Sequence, residues 1–269
     1  MHTARELSRE YKVTLRTEAF DGAEDQLLKT ASNCWRELSG TIEKTIGDKD
    51  GNLDRIVKSR TIRFYDTEEH LLNKNSYIFR ERRDRKTAKR EVTLKFRHLD
   101  RYISQDRNMK AAGPEEGRTK FEEDIKAPFV ILYSFSTTRE IADSEDLRRM
   151  KDLALLFPDL RDKLDRYEGD DKIRLVNGFT AKEVVIGGAK FQIGKRPRVD
   201  SECALIFWYD DDSDKQKPLV GEFSFRYGRK DGEYERDTAY RSYHVFEMLQ
   251  KLTSWVDLNS KTKTAFVYD

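Results

Sequence analysis

The chain has 269 residues, and its 52 Lys and Arg side chains nearly balance 50 Asp and Glu side chains, leaving a net charge of +2. Because charges of both signs are interspersed, this composition excludes a polycation that coats nucleic acid. The two cysteines, Cys34 and Cys203, are far apart in the sequence, which argues against a disulfide scaffold and against a zinc–thiolate site.

The first third of the chain predicts one helix and four strands. Residues 7–16 alternate between apolar and polar side chains, which is typical of a strand. Residues 21–38 place apolar side chains at helical spacing and acids in the first turn, which predicts a helix. Three more alternating runs predict strands, at residues 58–66, 76–83 and 91–98.

The rest of the chain predicts a helical block between two series of strands. A flexible loop is expected over residues 99–118, and a helical insertion at about 127–178. Strands resume at residue 181, with a hairpin at Gly187-Gly188. The last predicted element is an amphipathic helix at about 236–256.

Three of the predicted strands carry cations at alternate positions. Side chains two residues apart lie on the same face of a strand. We therefore expect one positive field formed by Arg63, Arg80, Arg82, Lys95 and Arg97. Such a field suits a highly charged anion, and a phosphate chain is the commonest candidate.

A charged face on nearly every strand limits the architectures that are compatible with the sequence. Unpaired charge is costly to bury, so alternation alone favours an open sheet with one solvated face. However, acids and cations occur at matched positions. This favours a closed antiparallel β-barrel of about eight strands, with an ionic lumen and surrounding helices, in an α+β fold. We expect residues 1–269 to form a single domain of this kind.

The order of four short motifs resembles a known family. Tyr65-Asp66-Thr67 is followed by Arg80-x-Arg82, Thr93-Leu94-Lys95 and Glu122-x-Asp124. This order is similar to that of the CYTH superfamily, the triphosphate tunnel metalloenzymes, which include tunnel-type adenylate cyclases and several triphosphatases. The resemblance extends from the first strand to about residue 227.

Two acids of the family pattern are serines in this chain. The family opens with Glu-x-Glu-x-Lys, whereas this chain has Ser8-x-Glu10-x-Lys12. A late strand of the family carries Glu-x-Glu, whereas this chain has Glu222-x-Ser224. Hydroxyls are poor substitutes for carboxylates at a hard cation such as Mg²⁺. We therefore expect the chain to hold a metal less securely than it holds phosphate.

The resemblance implies a divalent-metal-dependent hydrolase that acts on inorganic or organic triphosphates in a cationic tunnel. It implies Mg²⁺ or Mn²⁺ as the cofactor, and Glu10 and Lys12 as catalytic residues. The implied metal ligands are Glu10, Glu122, Asp124 and Glu222. The implied phosphate-binding residues are Lys12, Arg63, Arg80, Arg82, Lys95, Arg97, Lys120 and Arg226. Lys261 or Lys263 near the C-terminus would reach back to the tunnel mouth.

Two alternatives stay open. With two acids replaced, the barrel would bind a nucleotide, a polyphosphate or an RNA end without hydrolysing it. It would otherwise be an interaction scaffold with a self-paired lumen. The expected partners are triphosphate-containing small molecules or polyphosphate, with nucleic acid only as a 5′-triphosphate end, and dimers in the family make a homodimer an option. Met1–Arg5 lack an apolar leader and no apolar run reaches about 20 residues, so we expect a cytoplasmic protein without membrane contact.

Overall fold

The computed structural model of the protein describes residues 7–113, 117–211, 217–229 and 236–269. Within these residues the chain forms ten strands and seven α-helices. The strands are β1 (Leu7–Thr14), β2 (Lys49–Asp50), β3 (Arg55–Thr67), β4 (Tyr77–Asp84), β5 (Arg90–His98), β6 (Arg118–Lys126), β7 (Val130–Glu140), β8 (Ile173–Gly194), β9 (Val199–Asp210) and β10 (Val220–Arg229). The helices are α1 (Glu24–Ile42), α2 (Leu71–Lys74), α3 (Arg101–Gln105), α4 (Met150–Leu156), α5 (Leu160–Lys163), α6 (Arg236–Gln250) and α7 (Lys263–Tyr268).

The strands form one sheet that closes on itself. Their order is β2-β8-β3-β4-β5-β7-β6-β1-β10-β9, and β8 also pairs with β9. All strands except β2 therefore belong to a closed ring of hydrogen-bonded neighbours. The pairings of β1 with β10, β10 with β9, β3 with β4, β4 with β5 and β5 with β7 are antiparallel. The predicted closed β-barrel in an α+β fold is confirmed.

The chain divides into two compact units, although four of the strands run through both. The first unit comprises Met1–Ser59, Glu123–Ile131 and Lys182–Phe266. The second unit comprises Arg60–Glu122, Leu132–Ala181 and Val267–Asp269. The expectation of a single domain stays a prediction.

The core of the first unit is built around α1. Glu24 and Asp25 lie in its first turn, where carboxylates interact favourably with the helix dipole. The predicted helix is confirmed, but it extends to Ile42 because Leu38 and Ile42 continue its buried face. In the same unit, Tyr11 of β1 stacks on Phe225 of β10, with 4.6 Å between ring centroids. Burial of these apolar surfaces provides the main stabilisation of the unit.

The core of the second unit is formed by one face of β4 and β5. Tyr77 and Phe79 lie on the same face of β4, with Ile78 between them on the other face, and both side chains are almost completely buried. Tyr77 packs on Phe96 of β5 at 4.9 Å, and Phe79 meets Phe157, which follows α4, at 6.3 Å. The apolar side of the predicted alternation therefore faces the core of the unit.

The predicted insertion at 127–178 is only partly helical, and this prediction is wrong for its first and last portions. Val130–Glu140 form β7, which lies between β5 and β6 in the sheet. Ile173 begins β8. Helices occupy only Met150–Leu156 and Leu160–Lys163. The run Val-Ile-Leu-Tyr at 130–133 favours a strand, because β-branched and aromatic side chains pack well on a pleated surface.

The predicted hairpin at Gly187-Gly188 is absent, because β8 continues through both glycines to Gly194. Gly188 has φ +117°, and a Cβ atom there would lie 2.9 Å from the carbonyl oxygen of Asn52 and 2.9 Å from Nε of Arg55. The glycine is therefore required by the close approach of the neighbouring backbone, which is a common reason for glycine within a strand.

The last predicted helix is confirmed as α6, although it ends at Gln250 and not near residue 256. No helix of the described residues is long and apolar enough to cross a membrane. The expectation of a missing N-terminal leader concerns residues 1–5, which lie outside the described part of the chain. The predicted loop at 99–118 contains α3, and its residues 114–116 also lie outside that part.

Candidate functional site

The second unit gathers four cations on one face of β4 and β5. Residues directly opposite each other in an antiparallel pair project on the same side of the sheet. Arg80 lies opposite Thr93, and Lys95 lies opposite Ile78, two positions from Arg80 on β4. Arg82 and Arg97 follow with the same period. We call Arg80, Arg82, Lys95 and Arg97 the cationic face.

Hydroxyl groups of β7 complete the cationic face. Arg97 Nε donates a hydrogen bond to Ser134 Oγ at 3.3 Å. Ser136 lies opposite Lys95, and the hydroxyls of Thr93 and Thr138 are 2.8 Å apart. Hydroxyls donate hydrogen bonds readily to phosphate oxygens and add no negative charge. The surroundings of the four cations therefore favour an anion.

Two of the acids near the cationic face pair with cations outside it, although Glu91 lies directly opposite Arg82. Glu91 accepts a hydrogen bond from Arg118 at 2.6 Å. Glu140 lies 2.5 Å from Lys89 Nζ. Glu122, a predicted metal ligand, lies 4.0 Å from Lys95 Nζ, which is the outer limit for an ion pair. The face therefore contains four cations and, opposite Arg82, one acid that is itself paired with Arg118.

Arg63 does not belong to the cationic face, and the prediction that it shares a face with Arg80 and Lys95 is wrong. It lies opposite Glu81, whereas its neighbour Phe64 lies opposite Arg80. Arg63 Nη1 is 3.5 Å from Glu81 Oε1, and Arg90 Nη2 is 2.6 Å from Glu81 Oε2. Glu81 is only 3% exposed, so two arginines compensate a buried carboxylate on the opposite face.

Two other predicted phosphate-binding cations lie on other strands. Lys120 is exposed on β6 in the second unit, two residues from Glu122, whose carboxylate lies 4.0 Å from Lys95 Nζ. Arg226 belongs to the first unit, where its Nη2 atom lies 2.8 Å from Glu202 Oε2. Both side chains of this pair are substantially exposed, so the pair contributes little to stability.

The first unit contains a separate cluster of carboxylates and lysines. Glu10 and Lys12 lie two residues apart on β1 and therefore project on one side. Lys12 Nζ is 2.8 Å from Glu10 Oε2 and 2.6 Å from Asp124 Oδ1. Asp124 is completely buried. Burial raises the pKa of Glu10. The ammonium groups of Lys12 and Lys263 lower it, and the net result is a pKa below the ordinary value.

Lys263 brings a second ammonium group to this cluster. It is the first residue of α7, and its Nζ atom lies 2.6 Å from Glu222 Oε1. Its side chain is 19% exposed and that of Glu222 is 7% exposed, so the ion pair is largely shielded from water. We call Glu10, Lys12, Asp124, Glu222 and Lys263 the carboxylate–lysine cluster.

The predicted metal ligands do not fit a divalent ion as the structure places them. Three of them belong to the carboxylate–lysine cluster, and each of these three is in contact with a lysine ammonium group. Across the described residues, no group of three or more His, Cys, Asp or Glu side chains is arranged to hold a metal. Ser224, one of the two serines that replace family acids, lies directly opposite Lys12.

Two buried acids were missed by the sequence analysis. Glu81 compensates two arginines, as described above. Glu183 of β8 is fully buried and accepts a hydrogen bond from Trp208 Nε1 at 3.1 Å. Its sequence signal is a lone acid in the run Ala181–Ile186, which is otherwise mostly apolar.

Asp66, the central residue of the Tyr-Asp-Thr motif, has a structural role. Its carboxylate accepts hydrogen bonds from the backbone N–H groups of Thr67, Leu72 and Asn73 at 2.8–3.0 Å. It thereby fixes the turn that leads from β3 into α2. Burial raises the pKa of Asp66 above its ordinary value, although the three backbone hydrogen bonds oppose this effect.

No protein-family model matches the chain, and no curated protein matches it. Solved structures with some similarity exist. A candidate adenylyl cyclase from Hippeastrum, described as having a dominant triphosphatase activity, is 12% identical over 96% of this chain and 93% of its own, with a TM-score of 0.46. A candidate adenylate cyclase from Bacillus halodurans is 14% identical over 97% of each chain, with a TM-score of 0.41.

A candidate adenylate cyclase from Vibrio parahaemolyticus is 9% identical over 99% of this chain and 100% of its own, with a TM-score of 0.37. The chain is similar to these three proteins in structure, at low sequence identity.

Proposed function

We propose that the protein binds the phosphate groups of triphosphate-containing molecules on its cationic face. The observation that carries this proposal is the common orientation of Arg80, Arg82, Lys95 and Arg97 beside the hydroxyls of β7. The proposed ligands are triphosphate-containing small molecules and polyphosphate. Nucleic acid is included only as a 5′-triphosphate end, because a net charge of +2 gives little attraction for a long duplex.

The types of side chain suit this ligand. Each arginine guanidinium presents several N–H donors in a rigid fork, which matches two oxygens of one phosphate. Lys95 contributes a point charge between them. The apolar residues on the opposite face of the same strands, including Phe79 and Phe96, hold the backbone that positions these cations. The cationic groups are therefore presented by rigid strands.

The second candidate function is hydrolysis of a triphosphate with Mg²⁺ or Mn²⁺. It is favoured by the order of the motifs from Tyr65 to Asp124. It is opposed by the position of Lys12 and Lys263 on the carboxylates that such an ion would need. Binding without turnover is therefore the function that the geometry supports best.

Titration calorimetry with tripolyphosphate tests the proposed binding. We expect Arg80→Gln to weaken binding by about tenfold to a hundredfold, because it removes a charge-assisted hydrogen bond. Arg63→Gln is the matched control, since it removes an arginine from the opposite face of the neighbouring strand, and it should leave the affinity unchanged. An equal loss in both variants, or no binding to the unmodified protein, would refute the proposal.

The second candidate is tested separately by measuring phosphate release over a range of Mg²⁺ and Mn²⁺ concentrations. Release that disappears in Glu10→Gln and Glu222→Gln would establish metal-dependent hydrolysis. The absence of release at every concentration would eliminate it without affecting the binding proposal.

A further inference from the structure

We propose that Lys12 and Lys263 act as built-in counter-ions that occupy the carboxylates of the cluster in place of a divalent metal. It follows that phosphate binding by this protein requires no divalent ion, and this consequence rests on the proposed function. The occupation of the carboxylates concerns the first unit alone and is testable without any phosphate.

The position of Lys12 is the first observation. Its ammonium group lies within 2.8 Å of Glu10 and 2.6 Å of Asp124, so it bridges the two carboxylates. A divalent ion bound to the same oxygens would need distances of about 2.0–2.6 Å and would have to displace the ammonium group. Lys12 and a metal therefore compete for the same two carboxylates. Because Asp124 is fully buried, leaving it without a counter-ion would be strongly unfavourable.

The position of Lys263 is the second and independent observation, because this residue comes from α7 and not from a strand. Its ammonium group lies 2.6 Å from Glu222, and it sits 6.0 Å from the ring centroid of Trp208. The indole of Trp208 donates to the buried Glu183. Lys263 is thus held by a carboxylate on one side and approaches an aromatic ring that is fixed by a hydrogen bond.

The charges around a small cavity beside Glu222 also disfavour a metal ion. The cavity has a volume of about 50 Å³, and its lining includes Lys12, Lys126 and Glu222. This lining contains two lysines and one carboxylate, so the space next to Glu222 is unfavourable for a further cation. Ser224, opposite Lys12, adds a hydroxyl where a fourth carboxylate would have attracted a metal.

Titration with Mn²⁺, followed by the electron paramagnetic resonance signal of the free ion, tests the inference in the absence of phosphate. We expect the unmodified protein to bind no Mn²⁺ at the cluster up to about 1 mM. Lys12→Met/Lys263→Met should gain one Mn²⁺ site, because three carboxylates are then released. The added substitution Glu222→Gln should remove the gained site.

Two further variants keep the test decisive. Lys263→Met alone removes the more accessible lysine and should fold even if the double variant does not, and we expect it to gain weaker Mn²⁺ binding. Lys263→Arg keeps the positive charge and should gain none. The inference is overturned if the unmodified protein binds Mn²⁺ in a manner that Glu222→Gln abolishes, or if no folded variant gains a site. Neither outcome depends on whether tripolyphosphate binds to the cationic face.

Discussion

The carboxylate–lysine cluster and the cationic face are built from the same kinds of side chain on alternating strands, but they balance their charges in opposite ways. In the cluster, Lys12 and Lys263 contact the carboxylates at 2.6–2.8 Å, so the acids are satisfied internally. On the cationic face, the arginines lie beside hydroxyls while nearby acids such as Glu91 pair with other cations. The cluster is therefore neutralised by its own lysines, and the cationic face is the region for which we propose phosphate binding.

The difference is clearest between Lys12 and Arg80, since Arg82 lies opposite the acid Glu91. Lys12 lies opposite Ser224 and beside Asp124, so its nearest charged neighbours are acids. Arg80 lies between Phe64 on one neighbouring strand and Thr93 on the other, so neither opposing side chain carries a charge. The same alternation in sequence thus occurs around a lysine in an ion-pair cluster and around an arginine with uncharged residues opposite it.

The largest expected effect removes two cations from the cationic face. Arg80→Gln/Arg82→Gln should weaken tripolyphosphate binding by about a hundredfold to a thousandfold, because two charge-assisted contacts are lost. Calorimetry measures the affinity, and the melting curve of the variant verifies folding. If a folded variant loses less than about tenfold in tripolyphosphate affinity, the cationic face is not the phosphate-binding region.

The second effect concerns the stability of the cluster. Lys12→Met should lower the free energy of unfolding by about 3 kcal/mol, because the buried Asp124 carboxylate loses its counter-ion. Urea denaturation provides the measurement. The variant Lys12→Met/Asp124→Asn should recover part of the loss, since no buried charge is then left alone. A single substitution without a measurable effect would show that Lys12 does not compensate Asp124.

A smaller effect is expected from Glu81, which faces away from Arg80. Glu81→Gln should destabilise the protein by about 2 kcal/mol, because Arg63 and Arg90 lose their shared buried carboxylate. Its tripolyphosphate affinity should stay within about twofold of the unmodified protein. A large loss of affinity with unchanged stability would place Glu81 in the binding site and contradict the assignment of the two faces.

The smallest effect is a pH dependence that originates in the cluster. The pKa of Glu10 is lower in the folded protein than its ordinary value. The stability contributed by ionised Glu10 is therefore fully present above the unfolded carboxyl pKa of about 4.3 and is lost as the pH falls through the folded pKa. As the pH is lowered from about 6 to about 3, the urea concentration at the unfolding midpoint should fall less steeply for Glu10→Gln than for the unmodified protein. An unchanged slope would contradict the lowered pKa.

Much of the fold follows from local sequence patterns. Alternation predicts β1, β3, β4 and β5, and helical spacing predicts α1 and α6. The same period places Glu10 with Lys12, and Arg80 with Arg82, without knowledge of the fold. These predictions succeed because both members of each pair lie on one element.

The errors arise where the answer depends on a neighbouring strand or on distant residues. The face of Arg63 is set by the register of β3 against β4, and a shift of one residue would reverse it. Asp66 holds the turn that follows β3 with three backbone hydrogen bonds. The sequence analysis expects Lys261 or Lys263 to reach back to the tunnel mouth, but no local pattern identifies Glu222 as the partner of Lys263, because the two residues are far apart in sequence.

The most direct test of the contrast between the two regions is a tripolyphosphate titration of the unmodified protein, first in EDTA and then in excess Mg²⁺. We predict binding in EDTA that is at least as tight as binding in Mg²⁺, because the cationic face supplies the charge and the lysines already occupy the carboxylates. Binding that appears only when Mg²⁺ is present would contradict this account.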